Sequence, residues 1–123
     1  MPDIGRKTWA LPGGNIPLDQ HGPEPEFTSR DTLWMLNTTD NDAQVALTIY
    51  YTDREPVGPY HLDLEARRVR KVRFNDLIDP EAIPLERDFA AVVESSVPIV
   101  VQHTRMDTRQ SENTRTSSLG FPG

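Results

Sequence analysis

Eleven prolines and seven glycines punctuate this chain of 123 residues. They impose roughly one break in every 10 to 20 positions, which leaves no room for long helices. The intervals between breaks are rich in Val, Ile, Thr and aromatic residues, the composition of short strands. Ala43 to Tyr51 is the clearest: Ala43, Val45, Leu47, Ile49 and Tyr51 fall on one face, with Gln44, Thr48 and Tyr50 on the other. A period of two marks a strand with one face buried. Thr39-Asp40-Asn41-Asp42 supplies turn residues ahead of it, so Thr32 to Asn37 is expected to pair with it as a hairpin. Glu55-Pro56-Val57-Gly58-Pro59 turns the chain into a further strand over Tyr60 to Leu64. Ala66 to Phe74 also fits helical spacing, but its β-branched valines and the Asn75-Asp76 turn signal favour a strand with a bend or bulge. A loop held by Pro80 and Pro84 follows, then two strands, Asp88 to Glu94 and Val97 to Met106, joined at Ser95-Ser96. Roughly six to eight such strands predict an all-β fold, an antiparallel, jelly-roll-like β-sandwich, in a single domain over residues 1–123.

A core is within reach, since Leu, Ile, Val and Phe make up about a quarter of the residues, above the ~20% that marks disordered chains. The net charge of −6 opposes whole-surface attraction to DNA or to anionic membrane. There are no cysteines, which excludes disulfides, a thiol nucleophile and a cysteine-bound zinc. The longest apolar run, Phe89 to Val93, is far too short to span a bilayer. MPDIGRKTWA at the N-terminus lacks the apolar centre of a signal peptide. A soluble, intracellular protein is expected. No GxSxG, P-loop, HExxH or GxGxxG after a strand is present, so neither an enzymatic activity nor a cofactor is expected.

Two constellations carry chemistry. Val97, Ile99 and Val101 face one way, and the same parity continues to His103 and Arg105, with Arg109 just beyond. A core-facing row that ends in His and Arg reads as a polar pocket at the mouth of the sandwich or a buried subunit contact, against the plainer reading of a strand end passing into solvent. In the pocket reading Arg105 and Arg109 bind a carboxylate or hydroxyls, His103, His21 and Glu24 orient the ligand, and Asn75 adds an amide. His21-Gly22-Pro23-Glu24-Pro25-Glu26 also has the donor types of a metal site. Nothing in the chain brings it to His103, and the prolines serve loop rigidity as well, so no metal is assigned. The second constellation is Arg67, Arg68, Arg70, Lys71 and Arg73, which holds five of the thirteen cations. On one strand they split over two faces, three and two, so no dense stripe suited to nucleic acid results. The run is read as a docking edge for an acidic partner, against the plainer reading of a solvated edge that discourages edge-to-edge pairing.

Four stretches resemble the sensory rhodopsin transducer family: HGPEPEF from His21, TIYYTDREPVGPYHL from Thr48, ARRVRKVRFNDLIDP from Ala66 and VPIVVQHTRMDTRQSEN from Val97. The similarity holds one register from Gly5 to Asn113. It implies a small soluble β-sandwich that assembles as a homotetramer. It implies a cytoplasmic signalling adaptor that associates with a seven-helix retinal photoreceptor and is peripheral to the inner face of the membrane through that receptor. A small carbohydrate-like ligand is a further implication, and a DNA-linked regulatory role a weaker one. The ending TRTSSLGFPG, residues 114–123, is more polar than the family's apolar ending, and is expected to be an edge strand with a loose C-terminal tail.

Overall fold

In the computed structural model one strand serves as the spine of both layers, because it is too long for either sheet alone. The structure describes residues 4–14, 30–84, 87–107 and 114–123. Among them are eight strands: β1 (Arg6–Gly14), β2 (Arg30–Asn37), β3 (Ala43–Tyr51), β4 (Val57–Leu64), β5 (Arg68–Arg73), β6 (Phe89–Asp107), β7 (Thr114–Leu119) and β8 (Phe121–Pro122). The first half of β6 pairs with β3 from Tyr51↔Phe89 to Val45↔Ser95, and its second half pairs with β2 from Leu36↔Val100 to Arg30↔Met106. One sheet therefore runs β4-β3-β6-β1-β8, and the other adds β2, β5 and β7 around the far half of β6. All pairings are antiparallel, and the two sheets enclose one core, a β-sandwich as expected.

The core follows from period-two burial. Val45, Leu47 and Ile49 from β3 meet Leu33 and Met35 from β2, with Val93, Ile99 and Val101 from β6 and Trp9 from β1 closing the space. The Trp9 indole N–H is held by the Ile99 carbonyl at 2.9 Å, so the largest of these rings is buried with its donor satisfied. Gly5 has φ +104, and a Cβ there would collide with the Ile99 carbonyl, so only glycine admits this approach of β1 to β6.

Three expectations are corrected. Asp88 to Glu94 and Val97 to Met106 are not separate strands. Arg6 pairs with Ile99 and Thr8 with Glu94, so Lys7 alone faces residues 95–98 and β6 bends there without breaking. The Ser95 and Ser96 hydroxyls accept hydrogen bonds from the Val97 and Gln44 amides at 3.3 and 2.9 Å. What reads as a turn signal is the polar lining of that bend. Nor does Thr32 to Asn37 form a hairpin with Ala43 to Tyr51. β2 pairs with β5 and β6, so residues 38–42 cross from one layer to the other. Asn37 ties this crossing together, as its amide donates to the Asn41, Leu64 and Glu65 carbonyls while its Oδ1 accepts from the Thr39 amide and hydroxyl. Finally, the bend expected within Ala66 to Phe74 lies ahead of the strand. Arg67 takes φ 53 in a turn, the β2–β5 register runs unbroken from Asn37↔Arg68 to Thr32↔Arg73, and a 3₁₀ turn over Phe74–Asp76 follows.

The C-terminal stretch returns along β6 as β7, then crosses to the other sheet, where Phe121 and Pro122 pair with Ala10 and Trp9. Gly120 makes that crossing, with its amide on the Val101 carbonyl at 3.1 Å.

Candidate functional site

Residues singled out in the sequence fall on two surfaces. The first is the end of the sandwich where β3 finishes and β6 begins. Phe74 is buried there against Phe89, ring centres 5.1 Å apart, and meets His103 edge-on at 5.9 Å. His103 is 8% exposed, so the core-facing parity of Ile99 and Val101 does carry on to it. Asn75 follows Phe74 directly, and its Oδ1 is buried without a hydrogen-bond partner. Phe74 thus brings His103 and Asn75 to one end of the fold. Arg105 stands opposite Asp31 in the β2–β6 register. His21, Glu24 and Arg109 lie outside the described residues. Gly14 and Arg30, which bound the segment holding His21 and Glu24, pair with Phe89 and Met106, and Asp107, just before the segment holding Arg109, pairs with Thr114.

A tyrosine pair beside this end was not anticipated. Tyr60 is buried and its hydroxyl donates to the Glu81 carbonyl at 2.6 Å. Arg54 bridges to the Glu81 carboxylate at 2.9 Å and lies over the Tyr51 ring at 5.3 Å. The Tyr51 hydroxyl is buried with no hydrogen-bond partner. Burial raises the Tyr51 phenol, opposed by the Arg54 charge. Burial, then Tyr51 and Glu81, push Tyr60 up to about 12. The unfolded chain loses this proton near ~10. The contribution of Tyr60 to stability is therefore fully present below that pH and is lost as the pH rises towards about 12. Tyr60→Phe should cost about 1 kcal/mol at neutral pH and flatten that alkaline decline. Chemical denaturation across the alkaline range checks both, and an unchanged slope would remove Tyr60 as its source.

The second surface is the basic edge, and the structure divides its five cations. Arg67 sits in the turn, 3.8 Å from the Asp40 carboxylate. Arg68 and Arg70 share the face of Val72, opposite buried Asn37 and Met35, but lie beyond the core margin. There they line a cleft of about 390 Å³ with Asp63, Leu64, Glu65 and Val69, between the edges of β4 and β5. The Arg70 guanidinium donates to the Asp63 carbonyl at 2.6 Å. Lys71 and Arg73 project from the other face, Lys71 over the Trp34 ring at 5.4 Å and Arg73 bidentate on Asp76 at 3.0 and 3.1 Å. The split is thus two and two with Arg67 in the turn, rather than three and two.

The same outer face exposes Trp34 by 36%, Leu36 by 37% and Val69 by 61%, in adjacent register positions of β2 and β5. An apolar patch bordered by cations is the composition of a protein docking surface. The run Leu33-Trp34-Met35-Leu36 carries the signal, since period two buries Leu33 and Met35 and turns the other two outward. Among the described residues no helix is long and apolar enough to cross a membrane, and no group of three or more His, Asp or Glu is placed to hold a metal ion.

A family model described as Anabaena sensory rhodopsin transducer matches residues 4–122. The solved structure of the Anabaena sensory rhodopsin transducer is 57% identical with a TM-score of 0.78, covering 85% of this chain and 100% of that one. The crystal structure of Thermotoga maritima 1070 is 26% identical with a TM-score of 0.82, covering 97% of this chain and 96% of that one. None of the curated proteins compared matches the chain.

Proposed function

The chain belongs to the Anabaena sensory rhodopsin transducer family, and on that premise we propose that it is a non-enzymatic signalling adaptor. In this reading it is a cytoplasmic homotetramer that docks on the inner side of a seven-helix retinal photoreceptor. The observation that carries the docking surface is the concentration of five of thirteen cations on one edge, beside exposed Trp34, Leu36 and Val69. Cations steer an acidic partner into register, and the apolar patch supplies the area that holds it. Light acts by changing the receptor's affinity for this surface, since a conformational signal passes only as a difference in binding free energy between two states. The immobilised protein, offered detergent-solubilised membranes of its source cells, should retain a protein with retinal absorbance. An eluate without a retinal protein would refute the docking.

A second reading is favoured by the unpartnered Asn75 Oδ1 and Tyr51 hydroxyl at the sandwich end. Buried polar atoms without partners are costly, and a hydroxylated or carboxylated ligand would satisfy them. His21, Glu24, Asn75, His103, Arg105 and Arg109 would form that pocket, for a carbohydrate or an organic anion. Thermal shifts with a panel of sugars and carboxylates should appear in the parent and vanish in Arg105→Ala. Equal shifts in both would remove Arg105 from the site, and no shift with any member would refute the pocket.

A further inference from the structure

The geometry points to β5 as a strand-addition site, where an extended, acidic segment of a partner protein pairs along the edge of the sheet. For the identity of the partner this rests on the docking reading; for the mode of binding it rests on the edge itself. β5 pairs with β2 alone, so its outward backbone groups have no strand partner among the described residues. Its six residues contain no proline and its register on β2 has no shift, which leaves a straight edge of about 20 Å.

The neighbouring edge is blocked. In β4, Pro59 offers no N–H. The Asp63 carbonyl, of the same parity as Pro59 along the strand, is taken by Arg70. One edge is capped by side chains while the adjacent one is open.

The side chains along β5 specify the occupant. A strand added beside it sets alternate residues against Arg68 and Arg70 on one face and against Val69 and Lys71 on the other. Acidic residues satisfy the first row. Apolar residues satisfy the second, extending the exposed Val69, Leu36 and Trp34 surface. The complementary segment alternates Asp or Glu with Val, Ile or Leu. A second copy of this chain presenting its own β5 would oppose cation to cation, so self-pairing through this edge is disfavoured. Both faces of the cationic strand are used by one occupant, which no flat docking surface achieves.

The test uses the intact protein and a short synthetic peptide alternating Glu and Val, followed by NMR at low salt. Amide shifts should concentrate on residues 68–73. Two further peptides carry backbone N-methyl groups on every Glu or on every Val. An added strand directs one parity of N–H groups to the edge, so one methylated form should bind at least about tenfold more weakly while the other stays within about twofold. A peptide with Lys in place of Glu should not bind. Equal binding of both methylated forms would mean charge attraction alone and would overturn the proposal, as would shifts elsewhere or no binding of the parent peptide. If the photoreceptor is retained while the methylated forms bind alike, strand addition falls and docking stands. If the peptides behave as predicted and no retinal protein is retained, docking falls and the edge site stands.

Discussion

Replacing Arg68 and Arg70 by glutamate is expected to weaken docking on the photoreceptor by about 100-fold at low salt. The double change converts the two cations beside the open edge into repulsive charges while leaving the core alone, since both side chains lie exposed beyond it. Folding should therefore be preserved, with melting within a few degrees of the parent. The difference should shrink below about tenfold at high salt, where the Debye length falls to a few ångströms. Arg67→Glu is the control. It sits in the turn against Asp40, with both partners largely solvated, and should change affinity by less than about fivefold. Binding of purified protein to receptor in nanodiscs at two ionic strengths reads all three values. An unchanged affinity for the double variant would remove the basic edge from the interface.

Asn37→Ala is expected to lower stability by about 3 kcal/mol, a fall in melting temperature of about 10 °C. This side chain is fully buried and makes five hydrogen bonds, three to carbonyls and two to Thr39. Truncation leaves those groups without their partner in a site from which water is largely excluded. Asn37→Asp is the informative companion. It keeps the acceptor for Thr39 but turns a carboxylate towards three carbonyl oxygens, so it should cost as much or more. A loss under about 1 kcal/mol for the alanine variant would mean that the crossing between layers is held by something else.

That residue also shows where reading the chain alone stops. The span of β3 was legible from Ala43 to Tyr51 because period two is a local signal. The destination of Thr32 to Asn37 was not. Thr39 to Asp42 announces a turn, but the choice between pairing with β3 and crossing to the other layer depends on Asn37 reaching Leu64 and Glu65. The same limit applies to Ser95-Ser96, whose hydroxyls satisfy a bend in β6 that only its two sets of partners make necessary. At the sandwich end, parity along β6 left open whether His103 follows Val101 inward or passes into solvent, and the fold buries it. The pairing of Tyr51 and Tyr60 around Glu81 was hidden, because a loop distant in sequence supplies the acceptor. On the basic edge, residue type located the run of five cations. Which cations line the cleft and which join Trp34 and Val69 required the start of β5, set by the turn at Arg67.

A light signal carried by differential affinity requires this chain to bind a retinal photoreceptor more tightly in one state than in the other. The direct measurement is a titration of the purified protein onto that receptor in nanodiscs, in darkness and under steady illumination. Saturable binding is expected in both conditions, with dissociation constants that differ by about fivefold or more. Identical constants in light and dark, or no binding at all, would contradict it.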